Sequence, residues 1–383
     1  MKTVGKIFRE HTMQIILVLV VIIFSITTKG TILMPNNFEA LITQNAYVFI
    51  LATGMFMCML IKGNIDLSVG AVVCFVDAVG ANLMVNKGVP AGLAMLIMIL
   101  VGCAIGCFLG WIIAYINIPP WIATLSGFLA FRGWGTKVVT DASKSASIPV
   151  NDIAGFVKLF NSHIPKAASL PIGIILCAIL CFTLLKGRAN KIKKGYEADS
   201  LVSVIVRCAI LSAVIILFAY KYMMANGIPM VLVWVAVIAL VYDFISSKTV
   251  LGRYFYAMGG NMEATRLSGI NTKMILFFAY LNMQFLSVIA GWTSLAKLST
   301  ANGFMGQNYE LDAISACIVG GVSAYGGSGS VFGMVVGATL IGVINLGMSI
   351  MSIDPNWQKV IKGVVLLAAV VFEIMNNKDK TKV

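Results

Sequence analysis

An all-α, polytopic membrane fold is what this sequence predicts, and three observations predict it. Of its 383 residues, 59% are hydrophobic and 11% charged, with a mean hydropathy of +0.94. That leaves too little polar surface to cover a soluble globule of this size. Apolar runs near the roughly 20 residues that cross a hydrocarbon core about 30 Å thick recur along nearly the whole chain. The basic residues behind the net charge of +13 sit at the ends of these runs rather than in a soluble domain. This fits the positive-inside rule and argues against a nucleic-acid partner.

In chain order, the runs place spans near 13–33, 40–61, 65–85, 91–116, 119–136, 171–186, 201–220, 229–246, 274–296, 311–326, 331–352 and 356–375. Several are short or broken by glycine, so the expectation is about ten to twelve transmembrane helices, some of them broken or re-entrant. Lys2, Lys6 and Arg9 precede the first span, and Thr27-Thr28-Lys29-Gly30 lacks a small-x-small cleavage site. The first run therefore reads as a retained span rather than a cleaved leader. Both termini are expected on the cytoplasmic side: parity from an inside N-terminus also puts loop 186–194, the island 252–270 and the tail lysines Lys378, Lys380 and Lys382 inside. The same parity puts 137–170 outside, where Lys137, Lys144, Lys158 and Lys166 run against the rule. No Gly/Ser linker or charge run divides the chain, so 1–383 reads as a single transmembrane domain.

Glycines mark where helices approach. Gly102, Gly106 and Gly110 recur every four residues and share a helix face, and Gly333 and Gly337 offer a second. The eight cysteines, including Cys103/Cys107 and Cys177/Cys181, lie almost entirely in apolar runs and read as small hydrophobes. With only His11 and His163, both outside the spans, a metal site or a Ser-His-Asp or Cys-His hydrolase has little to stand on.

Acidic residues interrupt the apolar sequence at two blocks, Gly63-Asn64-Ile65-Asp66-Leu67-Ser68-Val69-Gly70 and Glu310-Leu311-Asp312-Ala313-Ile314. An Asp at the bilayer centre costs roughly 2.5–3.5 kcal/mol on insertion scales, so Asp66, Asp77 and Asp312 each need a reason. Two readings coexist for Asp66 and Asp312: they cap helices that begin beside them, or they line a hydrophilic path for a hydroxyl-rich solute. The first block enters from inside and the second from outside, a faint inverted-repeat signal in which broken helices meet around a pathway. Pro119-Pro120 break the helix ahead of Trp121. Trp121, Phe131 and Trp134 either anchor an interface or stack on a sugar ring, and Arg132 either snorkels or hydrogen-bonds a solute. The run Gly320–Ser330 has no P-loop lysine, and no P-loop exists elsewhere, so this chain does not hydrolyse ATP. It reads instead as a re-entrant turn or close helix crossing, with Tyr325 near the path. The pathway candidates are thus Asn64, Asp66, Ser68, Trp121, Arg132, Glu310, Asp312 and Tyr325.

The part-polar island 252–270 lies between two long apolar spans and predicts a turn followed by a short helix. Gly259-Gly260 break the backbone, Asn261 caps, Glu263 sits at the positive helix end, and Gly269 closes it. A surface helix there is either a docking lever or a solvated loop.

Several blocks, in order, resemble the permease subunits of the ribose/xylose type of bacterial ABC sugar importers. They are GNIDLSVG (63–70), IPPWIATLSGFLAFRG (118–133), GRYFYAMGGNMEATRLSGI (252–270), ELDAISACIVGGVSAYGGSGSVFG (310–333) and NWQKVIKGVVLLAAV (356–370). The length and the extra spans near 171–246 make the chain most similar to the xylose and multiple-monosaccharide branch. Asn64 departs from the glycine many members carry. The resemblance implies a multi-pass protein of the bacterial plasma membrane that works as a homodimer with a cytoplasmic ABC ATPase and an extracytoplasmic sugar-binding protein. It implies no cofactor bound by this chain, with ATP and Mg on the partner ATPase. It also implies that 252–270 transmits ATPase closure to spans that rock between outward- and inward-open states, with Gly252, Arg253, Gly259, Gly260, Asn261, Glu263, Ala264, Arg266 and Gly269 as coupling residues. An ion-coupled secondary sugar transporter or a non-transport membrane scaffold would share the spans without a use for such a segment.

Overall fold

The structure, a computed structural model, describes residues 12–378 apart from Lys144, Asp152, Ala198 and Asp199. Lys2, Lys6, Arg9, His11, Lys144, Lys380 and Lys382 therefore lie outside the described residues. The helices in order are α1 (Thr12–Thr27), α2 (Pro35–Leu60), α3 (Val69–Ala81), α4 (Ala91–Ala114), α5 (Pro120–Ala142), α6 (Ala154–Asn161), α7 (Lys166–Lys193) and α8 (Leu201–Met224). They continue as α9 (Met230–Lys248), α10 (Val250–Gly260), α11 (Met262–Leu267), α12 (Thr272–Leu298), α13 (Tyr309–Val319), α14 (Val331–Ile350) and α15 (Pro355–Lys378). Among the described residues, 8 helices are long and apolar enough to cross a membrane. The other predicted spans are helices too: α1, α5 and α15, and α13, which has 11 residues where the sequence suggested a longer run. The chain is an all-α polytopic membrane protein.

Two kinds of helix start divide between the two faces of the bundle, with α5 the exception, since Pro119 and Pro120 open it on the face where the other starts carry polar caps. On one face, Pro35 and Pro355 open α2 and α15, and Pro90, Pro165 and Pro229 stand immediately before α4, α7 and α9. Proline there is preset for the first turn and brings no orphan amide of its own. On the opposite face, Ser200, Thr249, Asn261, Asn271 and Ser330 each accept a backbone N–H of their own helix at 2.9–3.2 Å. Each removes one of the donors a helix start leaves open.

Of the segment 137–170 that parity places outside, 137–142 end α5 and 166–170 begin α7, and the described residues between them fold as a cap on the proline-rich face. Strand β1 (Ser147–Pro149) pairs antiparallel with β4 (Thr300–Asn302), and β2 (His163–Ile164) with β3 (Ile228–Pro229). Its awkward Lys137 is offset one helical turn on by Asp141, with Nζ 2.5 Å from Oδ1.

Helix α12 forms the spine. The α4 glycines lie along it: a Cβ at Gly106 would come within 2.8 Å of the Leu281 Cα, and one at Gly110 within 2.8 Å of the Phe277 carbonyl oxygen. The predicted small-residue face thus sets a close α4–α12 crossing, which in lipid is held by packing rather than by water exclusion. Gly333 and Gly337 of α14 do the same against α13, where a Cβ would overlap the Gly320 and Ala316 carbonyl oxygens.

Candidate functional site

Two interrupted helices meet inside the bundle. Residues 63–68 run irregularly from the end of α2 before α3 begins, and the chain after β4 turns through 303–308 before α13 begins. The two helix starts face each other. A Cβ on Gly70 would overlap both the Gly306 carbonyl oxygen and the Glu310 carboxylate, and one on Gly306 would overlap the Gly70 carbonyl oxygen. Only glycine on both strands of this contact lets the backbones close, and Gly306 also needs its φ of +69°. The two acidic blocks picked out in the sequence therefore occupy one place, with the positive ends of two helices directed toward it.

Each polar side chain here is fixed by a different element. Asp66 is 0% exposed: Oδ1 accepts from the Ser68 amide at 2.8 Å and from the Ser68 hydroxyl at 2.6 Å, and Oδ2 accepts from Gln284 Nε2 on α12 at 2.7 Å. Asp66 thus satisfies the entry to α3 and pins it to the spine. Asp312 differs from its capping expectation. It lies inside the first turn of α13, where Asn308 is the cap residue, and accepts from the Tyr47 hydroxyl at 2.6 Å and from Lys362 Nζ of α15 at 2.9 Å. It therefore ties three helices rather than one helix end. Arg132 of α5 donates to the carbonyl oxygens of Gly303, Met305 and Gly306, the last at 3.1 Å, and so holds the turn that precedes α13. Glu310 is 7% exposed with Oε2 unpartnered, and Asp77 is fully buried beside Gly291 with both carboxylate oxygens unpartnered.

Other candidates lie elsewhere. Trp121 is 60% exposed in the first turn of α5, and Tyr325 is 66% exposed in the glycine-rich turn between α13 and α14. Asn64 is half-buried in the turn after α2, its amide donating to the Ile61 carbonyl at 3.0 Å. These three sit toward the opposite end of the interruption from Glu310 and Asp312.

The island 252–270 has its expected break and short helix, but the residues ahead of the break are helical as well. Gly252 through Gly260 are helical, the second half of the island is a separate short helix, and Asn261 between them accepts from the Ala264 amide at 2.9 Å. Gly259 and Gly260 end α10 rather than break it. A Cβ at Gly259 would overlap the Leu60 carbonyl oxygen and the Gly327 amide, so α10 lies against the turn after α2 and the turn after α13. Gly327 donates its amide to Leu60 at 2.9 Å, and the Tyr256 hydroxyl donates to the Gly329 carbonyl at 2.9 Å. Gly269 ends α11 at φ +84°. Glu263 and Arg266 pair at 2.5 Å on the outer side of α11, each 64% exposed. Gly252 packs under Ser246, whereas Arg253 and Ala264 are exposed.

Sequence reasoning missed Gln284, Lys362, Tyr47 and Gly306. The first two carry a legible signal, being the amide and the ammonium inside otherwise apolar runs, but nothing local names their partners. Among the described residues no group of His, Cys, Asp and Glu could hold a metal ion.

Against known proteins, residues 37–370 match the family described as branched-chain amino acid transport system / permease component. The xylose transport system permease protein of Haemophilus influenzae is 33% identical over 371 residues, 96% of each chain. Its Escherichia coli K12 counterpart is 32% identical over 92% of this chain and 88% of its own. The ribose import permease protein of Haemophilus influenzae is 30% identical over 96% and 94%. No solved structure matches.

Proposed function

This chain belongs to that permease family, within its sugar-transport members, and we propose that it is the membrane subunit of an ATP-driven importer for xylose or a related monosaccharide. The protein sits in the bacterial plasma membrane with α10, α11 and the basic loop at 186–194 on the cytoplasmic side, as the positive-inside rule requires. Two copies flank a central pathway, a cytoplasmic ATPase docks on the segment 252–270, and a sugar-binding protein delivers the solute outside.

One observation carries this reading: α10 rests against the end of α2 at Leu60, where the chain leads toward α3, and against the turn after α13 at Gly327 and Gly329. A push on the exposed Glu263–Arg266 side of α11 is therefore delivered to the chain entering α3 and the chain leaving α13 at once. At Gly259 the contact is backbone on backbone with no side chain between, which leaves little slack in this linkage. Arg132, holding the turn before α13, and Asp66, holding the entry to α3, keep the helix starts aligned while the bundle rocks. ATP and Mg belong to the partner ATPase, and no bond is made or broken on this chain.

The test is uptake of labelled xylose, ribose, galactose, arabinose and glucose in cells with and without the chain, repeated with Glu263→Arg. Deletion should abolish ATP-dependent uptake of at least one sugar, and Glu263→Arg should lose both uptake and ATPase co-purification while still inserting. Uptake unchanged by deletion would reject the sugar assignment, and uptake that persists without ATP would favour an ion-coupled carrier.

A further inference from the structure

The cavities of this chain divide by what lines them. Those of 490, 580 and 280 Å³ are walled almost wholly by apolar side chains such as Phe278, Phe108 and Leu176. A cavity of 310 Å³ between the proline-side halves of α2 and α12 is different: Thr43, Gln44, Ser294 and Lys297 line it together with the rings of Tyr47 and Tyr309. We infer that this cavity is a subsite for one neutral monosaccharide ring on the outward side of the pathway, an inference that rests on the permease reading above.

Four features select that ligand. The volume lies at the low end of the roughly 300–1,000 Å³ of small-molecule sites, room for a single ring rather than an oligosaccharide. Tyr47 and Tyr309 are stacked, with ring centroids 3.6 Å apart and planes 12° from parallel. Because the Tyr47 hydroxyl is committed to Asp312, and Asp312 to Lys362, the pair is held as a rigid aromatic wall, suited to the C–H face of a sugar. Among the described residues, Thr43, Gln44 and Lys297 spend no side-chain hydrogen bond on the rest of the chain, and the Ser294 hydroxyl has only the neighbouring Tyr309 hydroxyl as a side-chain partner. Donors and acceptors not committed elsewhere are what a polyol needs. Finally, one ammonium group with no guanidinium is a poor match for a phosphorylated sugar, which favours Arg-rich clamps.

The position gives the subsite a consequence. Tyr309 is the first residue of α13, whose 11 residues make a rod about 16 Å long, and the turn after its far end is the one that α10 touches. A ring seated against Tyr309 thus bears on the same rigid element that the coupling segment moves.

The test uses the whole transporter, permease with ATPase and binding protein, in proteoliposomes. Gln44→Cys is labelled from the outside with a membrane-impermeant thiol reagent, with and without saturating D-xylose or D-ribose, and Lys87→Cys, exposed in the turn before α4 and away from the cavity, serves as the control. The expected result is labelling of Gln44→Cys slowed at least about threefold by a transported sugar and by no non-transported one, with labelling of Lys87→Cys unaffected. Tyr309→Ala should lower maximal uptake about tenfold while Tyr309→Phe, which keeps the ring face, retains most of it. Transport by the unaltered chain with no protection at Gln44→Cys and with Tyr309→Ala as active as Tyr309→Phe would overturn the subsite and leave the permease reading standing. Failure of the unaltered chain to move any of the sugars would overturn both.

Discussion

Helix α2 and the hairpin of α7 and α8 invert the rule that governs soluble proteins. Of the eight long apolar helices, α2 is the least apolar and 83% of its most apolar window is buried; α7 and α8 are among the three most apolar, and only 11% of theirs is buried. Helix α2 carries Asn45, Tyr47 and Thr53, and Asn45 accepts from Asn345 Nδ2 of α14 at 3.0 Å. The hairpin presents Ile174, Ile175, Phe182, Val202 and Ile210 outward at 58–71% exposure. Lipid penalises an exposed polar group and is indifferent to an exposed leucine, so the outside is where hydropathy peaks. The inside tolerates a polar group where a partner lies in reach, as Asn345 does for Asn45 and Gln284 for Asp66.

Substitutions test that contrast, and the largest effect belongs to the polar interior. Asp312→Ala leaves Lys362 without its carboxylate and Tyr47 without its acceptor. Losing one partner of a buried pair should destabilise by about 3–5 kcal/mol, whereas Asp312→Leu combined with Lys362→Met should recover most of it. Thermal unfolding of the purified chain in detergent checks both, and equal losses in the single and double variants would mean the pair itself holds the fold. Next comes Leu51→Ala on α2, at 0% exposure, expected to cost about 2–5 kcal/mol by the same measurement. Gly259→Ala should follow as a functional rather than a global loss: its Cβ overlaps Leu60 and Gly327, so ATP-driven uptake should fall at least about tenfold while membrane insertion is normal. The smallest effect is Leu176→Ala in the hairpin, 50% exposed, expected within about 0.5 kcal/mol of the parent. A loss as large as that of Leu51→Ala would show that the hairpin face is covered by protein rather than lipid.

Much of the site was legible, in pieces. Asp66 and Asp312 stood out because a carboxylate inside an apolar run needs a reason, and Asn261 as a cap because its residue type and position sufficed. The shape of the 252–270 segment was half legible. The helix does end at Gly259-Gly260 and a short helix does follow Asn261, but the residues ahead of that break are helical too, and the tight approach of Leu60 and Gly327 that selects glycine at 259 has no local sign. Gln284 and Lys362 were visible as polar residues and anonymous as partners, since the first lies 218 residues from Asp66 and the second 50 from Asp312.

The polytopic helical class, the approximate positions of the long spans, the two interruptions and the family were all written in the sequence, because each follows from local hydropathy, polar breaks and block order. It took the tertiary structure to show that the interruptions meet at Gly70 and Gly306, that Asp312 binds two other helices instead of capping its own, and that α10 bears on the end of α2 and on the turn after α13. Those are pairings between distant parts of the chain. Local propensity is silent about them, because the partner of a buried polar group or a bare backbone is chosen by how the helices pack.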